Sequence, residues 1–265
     1  MITKIESSSN AVFKNTKKLL NSRDRKKGRL FITEGYRSVA DACSHNADIE
    51  YIIVNEDYTK ECFDDAYRVY RFSNKLFDEI SSTVNSQGIL AVVSFVDRDV
   101  RDLAVDEVRR VVYLDSVMDP GNMGTILRTS DAMGVDAVVL SKGCVDIYNP
   151  KVVRSTMASI FNVPVYFDTE EGEALDILCS RGFDVAGTFI DGSVPCFEAD
   201  LRDMTVIVMG NEANGISDAV ADRCNLRISV PMHGGAESLN VGVCCGMVLY
   251  EQMRQNIVSG GVDNG

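Results

Sequence analysis

The sequence predicts an α/β protein whose larger part is a mainly parallel β-sheet with helices on both faces, accompanied by a small N-terminal α/β domain. Six short apolar runs between residues 111 and 230 are separated mostly by helix-length segments, which is typical of buried parallel strands. Turns rich in Gly and Asn adjoin several of these runs. The 265-residue chain is 45% hydrophobic and 25% charged, which indicates a folded globular protein long enough for two domains.

The first hundred residues contain the smaller α/β pattern. In chain order we expect a basic segment (10–22), a helix (35–46), a strand (50–54), a helix (59–67) and a strand (89–96). Residues 97–110 are charged and lack a continuous apolar face, so we place a domain boundary there. The predicted organisation is an N-terminal domain (1–97), a linker (98–110), a second domain (111–258) and a flexible tail (259–265).

The second domain is expected to contain six strands. They are VVYLD (111–115), DAVVL (136–140), VPVYF (163–167), FDVAGT (183–188), TVIVMG (205–210) and LRISV (226–230). Three polar turns, at 119–128, 210–217 and 231–240, each lie between an apolar strand and a helical pattern. Because ligands of open α/β sheets bind beyond the carboxyl ends of the strands, we expect these turns to form one crevice.

The first two turns carry polar residues with an ordinary structural explanation as well as a functional one. Asn122 is placed to cap a helix that runs to about Met133 and ends at Gly134. Arg128 lies one and a half turns into that helix, where a lone Arg is usually a solvated surface residue. Glu212 either caps backbone N–H groups or binds a substrate.

The third turn opens an apolar helix that we expect to run from Ser238 to about Gln255. Gly242 and Gly246 lie four residues apart in it, which allows another backbone to approach closely. A helix that is apolar nearly all round must be buried on several sides, either inside the domain or against a second subunit.

Charge is distributed unevenly along the chain. The formal net charge of −12 argues against general binding to a polyanion. Residues 1–37 nevertheless hold ten Lys and Arg against three acids, so this arm carries +7 and the remainder carries −19. A basic arm on an acidic body either directs nucleic acid to one place or is simply a solvated helix face.

Several function classes lose support from composition. The eight cysteines lack C-x-x-C spacing and there are only two histidines, so we expect reduced cysteines and no metal site. The apolar runs are too short to span a bilayer and residues 1–10 lack the apolar core of a signal peptide, so we expect a cytoplasmic protein. The absence of phosphate-loop and G-x-G-x-x-G motifs argues against a nucleotide-binding oxidoreductase.

Three motifs in this order resemble those of the SpoU (TrmH-type) RNA ribose 2′-O-methyltransferases. They are N-x-G-x-x-x-R at 122–128, G-x-E-x-x-G at 210–215 and P-M-x-x-G-x-E-S-L-N at 231–240. FITEGYRSVADA (31–42) and SQGILAVV (86–93) resemble the ribosomal-protein-like substrate-binding domain of several of these enzymes. The resemblance therefore covers nearly the whole chain.

The resemblance implies a deep C-terminal trefoil knot, a homodimer with the active site near the subunit interface, and S-adenosylmethionine as the cofactor. Knots are rare exceptions to the usual topology rules, so composition alone predicts none. The cofactor contacts it implies are at Thr188, Gly210, Val230, Met232, Ser238 and Leu239. The catalytic residues it implies are Asn122, Arg128, Glu212, Ser238 and Asn240.

For the chemistry, we prefer an electrostatic role for Arg128, because a guanidinium hardly deprotonates in proteins. Arg128 would hold a neighbouring phosphate and stabilise the developing alkoxide, while Glu212 or bulk solvent takes the proton. The chain departs from the family where Gly242 replaces a common Ser, Val230 an Ile and Ala158 a Gly. We expect adjusted packing at these positions, with activity retained.

The function that the resemblance implies is methyl transfer to structured RNA, with ribosomal RNA ahead of transfer RNA. The basic arm and the N-terminal domain would grip folded RNA through phosphates and shape. The alternatives are a tRNA 2′-O-methyltransferase and a catalytically silent RNA-binding protein of ribosome assembly. The four polar residues Asn122, Arg128, Glu212 and Asn240 make the silent alternative less favoured, since a binding module has little need for all of them.

Overall fold

The computed structural model describes residues 2–60, 66–83, 85–170, 172–202 and 204–260, with the side chains of residues 259 and 260 left out. The chain forms two compact units, residues 1–96 together with 146–162, and residues 97–145 together with 163–265. The helix expected at 59–67 falls largely on 61–65, outside the described residues. No described helix is long and apolar enough to cross a membrane.

The first unit is a five-stranded mixed sheet with helices. Its elements are β1 (Ile2–Ile5), α1 (Ala11–Lys18), α2 (Ser22–Gly28), β2 (Leu30–Glu34), α3 (Tyr36–Ser44), β3 (Ile49–Asn55), β4 (Val69–Phe72), α4 (Asn74–Asp78), β5 (Ile89–Ser94) and, from the later segment, α6 (Pro150–Ser155). The strand order is β1-β4-β3-β5-β2, in which β5 runs antiparallel to both of its neighbours.

The basic segment expected at 10–22 contains two short helices, α1 and the start of α2. The side chain of Asn10 accepts a hydrogen bond from Val12 N at 2.8 Å and caps α1. Asn21 accepts one from Arg23 N at 2.9 Å and caps α2. Each Asn side chain accepts from a backbone N–H in the first turn of its helix, where that N–H has no partner inside the helix. The second cap, at Asn21, therefore starts a new helix and divides the basic segment into two.

Residues 146–162, which the sequence assigns to the second domain, pack in the first unit. The ring of Tyr148 stacks on Phe95 with centroids 3.8 Å apart. The guanidinium of Arg25, only 2% exposed, forms a 2.8 Å salt bridge with Asp146. A buried cation needs a charged partner, so this pair fixes the return of the chain to the first unit. It also removes Arg25 from the exposed basic arm.

The second unit is built on an eight-stranded sheet. Its elements are β6 (Arg98–Asp99), β7 (Arg110–Leu114), α5 (Pro120–Ala132), β8 (Ala137–Leu140), β9 (Val165–Phe167), α7 (Glu173–Ser180), β10 (Asp184–Thr188), β11 (Val194–Pro195), β12 (Thr205–Met209), α8 (Asp218–Ala221), β13 (Leu226–Ser229) and α9 (Val241–Gly260). The order is β11-β13-β10-β12-β7-β8-β9-β6, and every pair of neighbours is parallel.

The predicted mainly parallel sheet is confirmed, and its six expected strands match β7, β8, β9, β10, β12 and β13 to within two residues. The central strands β7, β8 and β12 are buried along nearly their whole length and therefore read as continuous apolar runs. The two-residue strands β6 and β11 at the edges carry no such run and were not predicted.

Residues 98–110, expected as a linker, contribute side chains to the core of the second unit. Val100, Leu103, Val105 and Val108 are buried there against Tyr113 and its neighbours. Charged residues alternate irregularly with these four, so the segment has neither helical nor strand periodicity. Its apolar side chains are nevertheless removed from water, which is what stabilises the packed position.

Helices α5 and α9 differ in detail from the predicted ones. Asp119 caps α5 by accepting from Asn122 N at 2.8 Å, so the prediction that Asn122 is the cap is wrong. The helix ends close to the predicted position, with Ala132 as its last residue, Met133 as its C-cap and Gly134 in a left-handed conformation. Helix α9 begins at Val241 instead of Ser238, and it extends through residue 260 into the segment expected as a flexible tail. Residues 261–265 lie outside the described part of the chain.

Candidate active site

A cavity of about 660 Å³ lies in the second unit, beyond the carboxyl ends of β10, β12 and β13. The turns that follow these three strands supply most of its wall. The lining residues are Asn122, Thr188, Phe189, Ile190, Met209, Gly210, Asn211, Glu212, Ala213, Gly215, Ser229, Val230, Pro231, Met232, Glu237, Ser238, Leu239, Asn240, Val241 and Cys244. Parallel strands deliver their following turns to one edge of the sheet, and this is why sequence-distant residues meet here.

The turn after β12 is closed by its own backbone. Asn211 and Gly215 exchange hydrogen bonds of 2.8 and 2.9 Å. A Cβ on Gly210 would collide with the backbone of Gly215, so only glycine permits this close approach. The closed turn directs Glu212 toward the start of α5.

Glu212 connects the second motif to the first. Its carboxylate accepts hydrogen bonds from Met118 N (3.2 Å), Asp119 N (3.0 Å) and the side-chain Nδ2 of Asn122 (3.0 Å). The two contacts to backbone N–H groups hold the turn before α5 in place, and the contact to Asn122 connects two residues that line the cavity.

Asn122 connects this pair to the third motif. Its Oδ1 accepts a 2.8 Å hydrogen bond from Nδ2 of Asn240. The Oδ1 of Asn240 in turn accepts from Gly242 N (2.9 Å) and Val243 N (3.2 Å), so Asn240 caps α9. Because each amide has one oxygen and one nitrogen end, this chain of bonds fixes the orientation of both carboxamides. We call Glu212, Asn122 and Asn240 the amide relay.

The ionisation of Glu212 follows from these donors. Burial acts to raise the pKa of Glu212, but the hydrogen bonds from Asn122 and from the backbone N–H groups of Asp119 and Met118 stabilise the carboxylate. The net result is a pKa below the ordinary value of 4.5. Glu212 is therefore ionised at neutral pH, its carboxylate already accepts three hydrogen bonds, and it is a weak base.

Arg128 is the one residue of the predicted site that does not line the cavity. It is exposed on α5 and forms no hydrogen bond or ion pair with any described residue. Thr125, three residues earlier on the same helix face, lies opposite Gly242 of α9. The guanidinium thus projects from the helix pair that borders the site, without contacting the amide relay.

Charge in the cavity is negative. Its described lining includes the carboxylates of Glu212 and Glu237 and no Lys, Arg or His. Burial, and to a smaller extent the neighbouring Cys196, raises the pKa of the Cys244 thiol to about 11. The only lining thiol among the described residues is therefore protonated at neutral pH and is a poor nucleophile. No group of three or more His, Cys, Asp or Glu in the described parts of the chain is arranged to hold a metal ion.

The structure brings together all the other residues that the resemblance assigned to the site. Asn122, Glu212, Ser238 and Asn240 line the same cavity as Thr188, Gly210, Val230, Met232 and Leu239. Sequence reasoning missed Phe189 and Ile190, which continue the chain beyond β10, and Cys244, one turn into α9. The predicted strand at 183–188 could have identified Phe189 and Ile190, because ligands of α/β sheets bind beyond the carboxyl ends of the strands. Nothing in the apolar helix distinguished Cys244 from its neighbours.

Comparison with known proteins gives a consistent set of similarities. Residues 109–250 match the profile of the SpoU rRNA Methylase family, and residues 10–91 match an MRM3-like substrate binding domain. The chain is 33% identical over 247 residues to the 23S rRNA (guanosine(2553)-2′-O)-methyltransferase RlmP of Bacillus subtilis, covering 93% of this chain and 97% of that protein.

Solved structures are similar over nearly the full length. An AdoMet-bound rRNA methyltransferase from Sinorhizobium meliloti superposes with a TM-score of 0.85 at 28% identity, covering 96% of this chain and 98% of that one. The SpoU methyltransferase AviRb from Streptomyces viridochromogenes, in complex with AdoMet, also gives a TM-score of 0.85 at 28% identity, covering 94% of this chain and 100% of that one.

Proposed function

Because the chain belongs to the SpoU rRNA methylase family, we propose that it transfers a methyl group from S-adenosylmethionine to a ribose 2′-hydroxyl of ribosomal RNA. The observation that carries this proposal is the meeting of three sequence-distant motifs in the amide relay around one cavity. A protein that only bound RNA would not need this connected set of polar side chains inside a pocket.

The cavity fits the cofactor. Its volume of about 660 Å³ is within the range of roughly 300–1,000 Å³ that small-molecule and cofactor sites occupy. Apolar Val230, Met232 and Leu239 offer surfaces for the adenine, and Glu212 and Glu237 are suited to a cationic ligand. S-adenosylmethionine, when bound, supplies an electrophilic methyl group on a sulfonium centre. The chain must then align a ribose oxygen with that group and keep competing nucleophiles away.

We assign positioning roles to the amide relay. Glu212 holds the turn before α5 and orients Asn122, and Asn122 orients Asn240 at the start of α9. Since the lowered pKa of Glu212 makes it a poor proton acceptor, solvent is the better candidate for the ribose proton. Ser238, exposed at the rim of the cavity, is placed to contact the RNA or the cofactor.

We propose that the protein is a homodimer in which Arg128 acts on the cavity of the partner. Two observations support this arrangement. Arg128 is exposed and does not line its own cavity. Helix α9 also leaves an apolar face exposed at spacings of four, three and seven residues, formed by Val243, Met247, Tyr250 and Ile257, each about half exposed. A stripe of this kind along a helix is suited to cover the same stripe of a second copy.

A complementation experiment tests this shared site. Arg128→Ala and Asn240→Ala chains, each carrying a different tag, are co-expressed and the mixed dimer is isolated. If Arg128 serves the partner's cavity, one of the two sites regains both residues, and about half of the wild-type activity returns. If Arg128 serves its own cavity, both sites of the mixed dimer stay defective. That result would contradict the shared site and leave the cofactor assignment standing.

RNA recognition is assigned to the first unit. Helices α1 and α2 expose Lys14, Lys18, Arg23, Lys26 and Lys27, on a chain that is otherwise acidic. Cations on short helices are suited to contact phosphates of folded RNA without reading its sequence. An enzyme acting on ribosomal RNA would meet its substrate in the cytoplasm.

We also propose that the C-terminal segment is threaded as a trefoil knot. The crowding of the turns after β10, β12 and β13 around one cavity supports this, as does the contact from Asn240 at the start of α9 back to Asn122 on α5. An experimental chain trace in which residues 229–240 pass outside the loop of the preceding strands would contradict it.

A transfer assay tests the function as a whole. Purified protein is incubated with labelled S-adenosylmethionine and, separately, with ribosomal and transfer RNA that lack modifications. We expect label in ribosomal RNA, and none with an Asn122→Ala variant that still binds the cofactor in a calorimeter. Label confined to transfer RNA would replace the proposed substrate. Tight RNA binding with no cofactor binding would instead support the catalytically silent alternative.

A further inference from the structure

The loop that follows β10, residues 189–193, forms one wall of the cavity, yet little of it is buried. Phe189 and Ile190 line the cavity, and Ile190 is 71% exposed. A wall this exposed cannot be held by burial of its own side chains, so something else must fix its position. The contacts around Arg227 on β13 provide that support.

Arg227 contacts the loop on both sides of Ile190. Its guanidinium carbon lies 3.5 Å from the centroid of the Phe189 ring, which is a cation–π contact. Its Nη2 donates a 3.4 Å hydrogen bond to the carbonyl oxygen of Asp191. Ile190 therefore stands between two residues held by the same side chain. The hydroxyl of Ser193 further donates to the carbonyl oxygens of Phe189 and Ile190, at 3.3 and 3.4 Å.

The position of the Phe189 ring depends on a glycine in the sheet. Gly187 of β10 is the register partner of Arg227 on β13. A Cβ built on Gly187 would lie 2.5 Å from Cε2 of Phe189 and 2.7 Å from Sγ of Cys224. The ring thus occupies the space that a side chain at 187 would fill, beneath the guanidinium of Arg227. This fit between neighbouring strands indicates that the loop conformation is built into the sheet.

We propose that Arg227 is a positioning residue for S-adenosylmethionine, holding the 189–193 loop as a preformed wall of the cofactor site. Arg227 does not itself line the cavity, so it acts through Phe189 and Ile190. A preformed wall lowers the conformational cost of binding, because the loop does not have to be ordered when the ligand arrives. The inference rests on the proposal that this cavity binds the cofactor.

Calorimetry of S-adenosylmethionine binding to the full chain tests the inference. We expect Arg227→Ala to raise the Kd by about three- to tenfold, since it removes one exposed cation–π interaction and one hydrogen bond. Arg227→Lys keeps the charge but loses the planar guanidinium, so we expect its Kd to lie between those of the wild type and Arg227→Ala. In steady-state assays the KM for the cofactor should rise while kcat and the KM for RNA stay unchanged. The reason is that the variant weakens cofactor binding equally in the ground state and in the transition state.

Four further variants complete the test: Arg181→Ala, Phe189→Leu, the double variant Phe189→Leu/Arg227→Ala, and Ser238→Trp. Arg181→Ala, which removes a surface guanidinium paired with Asp106 at 3.0 Å, is the matched control and should leave the Kd unchanged. The double variant Phe189→Leu and Arg227→Ala should lose less free energy of cofactor binding than the sum of the losses in the two single variants. Each single change already removes the same interaction. Ser238→Trp, which places a bulky side chain at an exposed lining position, should abolish binding if the cavity is the cofactor site.

The outcomes distinguish the role of Arg227 from the identity of the ligand. If Ser238→Trp abolishes binding while Arg227→Ala stays within twofold of the wild-type Kd, the positioning role is overturned and the cofactor site stands. A wild-type Kd in Ser238→Trp would remove the cofactor from this cavity and the inference with it. A fall in melting temperature and kcat for Arg227→Ala at an unchanged Kd would show a merely structural role, which also overturns the inference.

Discussion

Glu212 shows how one side chain can serve the fold and the site together. Its carboxylate fastens the turn before α5 through two backbone N–H groups, and it orients Asn122 through a third hydrogen bond. An acceptor surrounded by donors is most stable when ionised, so the same hydrogen bonds that lower its pKa also stabilise the turn. Stability and site geometry should therefore respond to acid through this residue.

The first prediction concerns Glu212→Gln. The folded-state pKa of Glu212 lies below 4.5, so its contribution to stability is present above that pH and is lost as pH falls through the folded-state pKa. The melting temperature of the wild type should exceed that of Glu212→Gln near pH 7, and the gap should narrow below about pH 4.5. Thermal scans across this range measure it, with Glu237→Gln as the control for removing one cavity carboxylate. A gap that is constant with pH would contradict the assignment.

The second prediction concerns Ala158, one of the positions at which we expected adjusted packing. Ala158 has a φ of +81°, a left-handed conformation that disfavours any residue with a Cβ. Ala158→Gly should therefore raise the free energy of unfolding by about 0.5–1 kcal/mol, after allowing for the greater freedom of glycine in the unfolded chain.

Urea denaturation measures this change. Ala42→Gly in α3 is the matched control. Ala42 lies in a helix interior, so this exchange should lower the free energy of unfolding by about 1 kcal/mol. An equal fall in the free energy of unfolding in both variants would show that the left-handed conformation at residue 158 carries no strain.

At the scale of elements, the packing of α5 against α9 depends on two glycines in α9. A Cβ on Gly242 would lie 3.1 Å from Cγ2 of Thr125 and 3.3 Å from Oδ1 of Asn240. A Cβ on Gly246 would lie 3.6 Å from Cγ2 of Thr129, an ordinary van der Waals distance. The sequence spacing predicted a close approach of another backbone here, and α5 is the element that makes it.

The third prediction compares the two glycines. Gly246→Ala should stabilise the protein by up to about 1 kcal/mol, because alanine favours the helix interior and meets no obstacle. Gly242→Ala should be at least about 1 kcal/mol less stable than Gly246→Ala and should lower activity, since its methyl group presses on Thr125 and on Asn240. Chemical denaturation and a transfer assay on both variants measure this difference. A more stable and fully active Gly242→Ala would contradict the packing account.

The sequence predicted the central strands but not the elements at the margins. Continuous apolar runs such as 205–210 identify a strand buried on both faces, whatever its neighbours are. The capping of α5 by Asp119 could not be chosen over Asn122 from sequence, because both residues are good N-caps and lie three positions apart. The packing of residues 98–110 was missed because irregular apolar residues carry no periodic signal.

The whole molecule combines an acidic chain with a basic face on α1 and α2. Of the ten cations in residues 1–37, Arg25 is buried against Asp146 and Lys17 forms an ion pair with Glu79 at 2.5 Å. The exposed face is therefore smaller than the composition indicates. The composition gives the number of charged residues, but which of them are exposed to solvent depends on the fold.

The fourth prediction concerns this face. Neutralising Lys26 and Lys27 together, as Lys26→Gln and Lys27→Gln, should weaken RNA binding by roughly tenfold or more near physiological salt and leave cofactor binding unchanged. The slope of log affinity against log salt should fall by about one for each phosphate that the variant no longer neutralises. Filter binding at several salt concentrations measures both quantities.

The matched control is the double variant Arg181→Gln and Arg202→Gln, which removes two surface cations of the second unit that pair with Asp106 and Asp200. It should leave RNA affinity within about twofold of the wild type. Equal losses in the two double variants would mean that total charge, not the α2 face, governs binding.

The central claim is that the three motif turns, joined by the amide relay, direct methylation to a ribose oxygen. The chemical position of the transferred methyl group tests it most directly, because a 2′-O-methyl group makes the adjoining phosphodiester resistant to alkali. Ribosomal RNA labelled by the wild-type protein should contain one alkali-resistant dinucleotide carrying the label, and Asn240→Ala should produce none. Label on a base, or in alkali-sensitive positions throughout the RNA, would contradict the account.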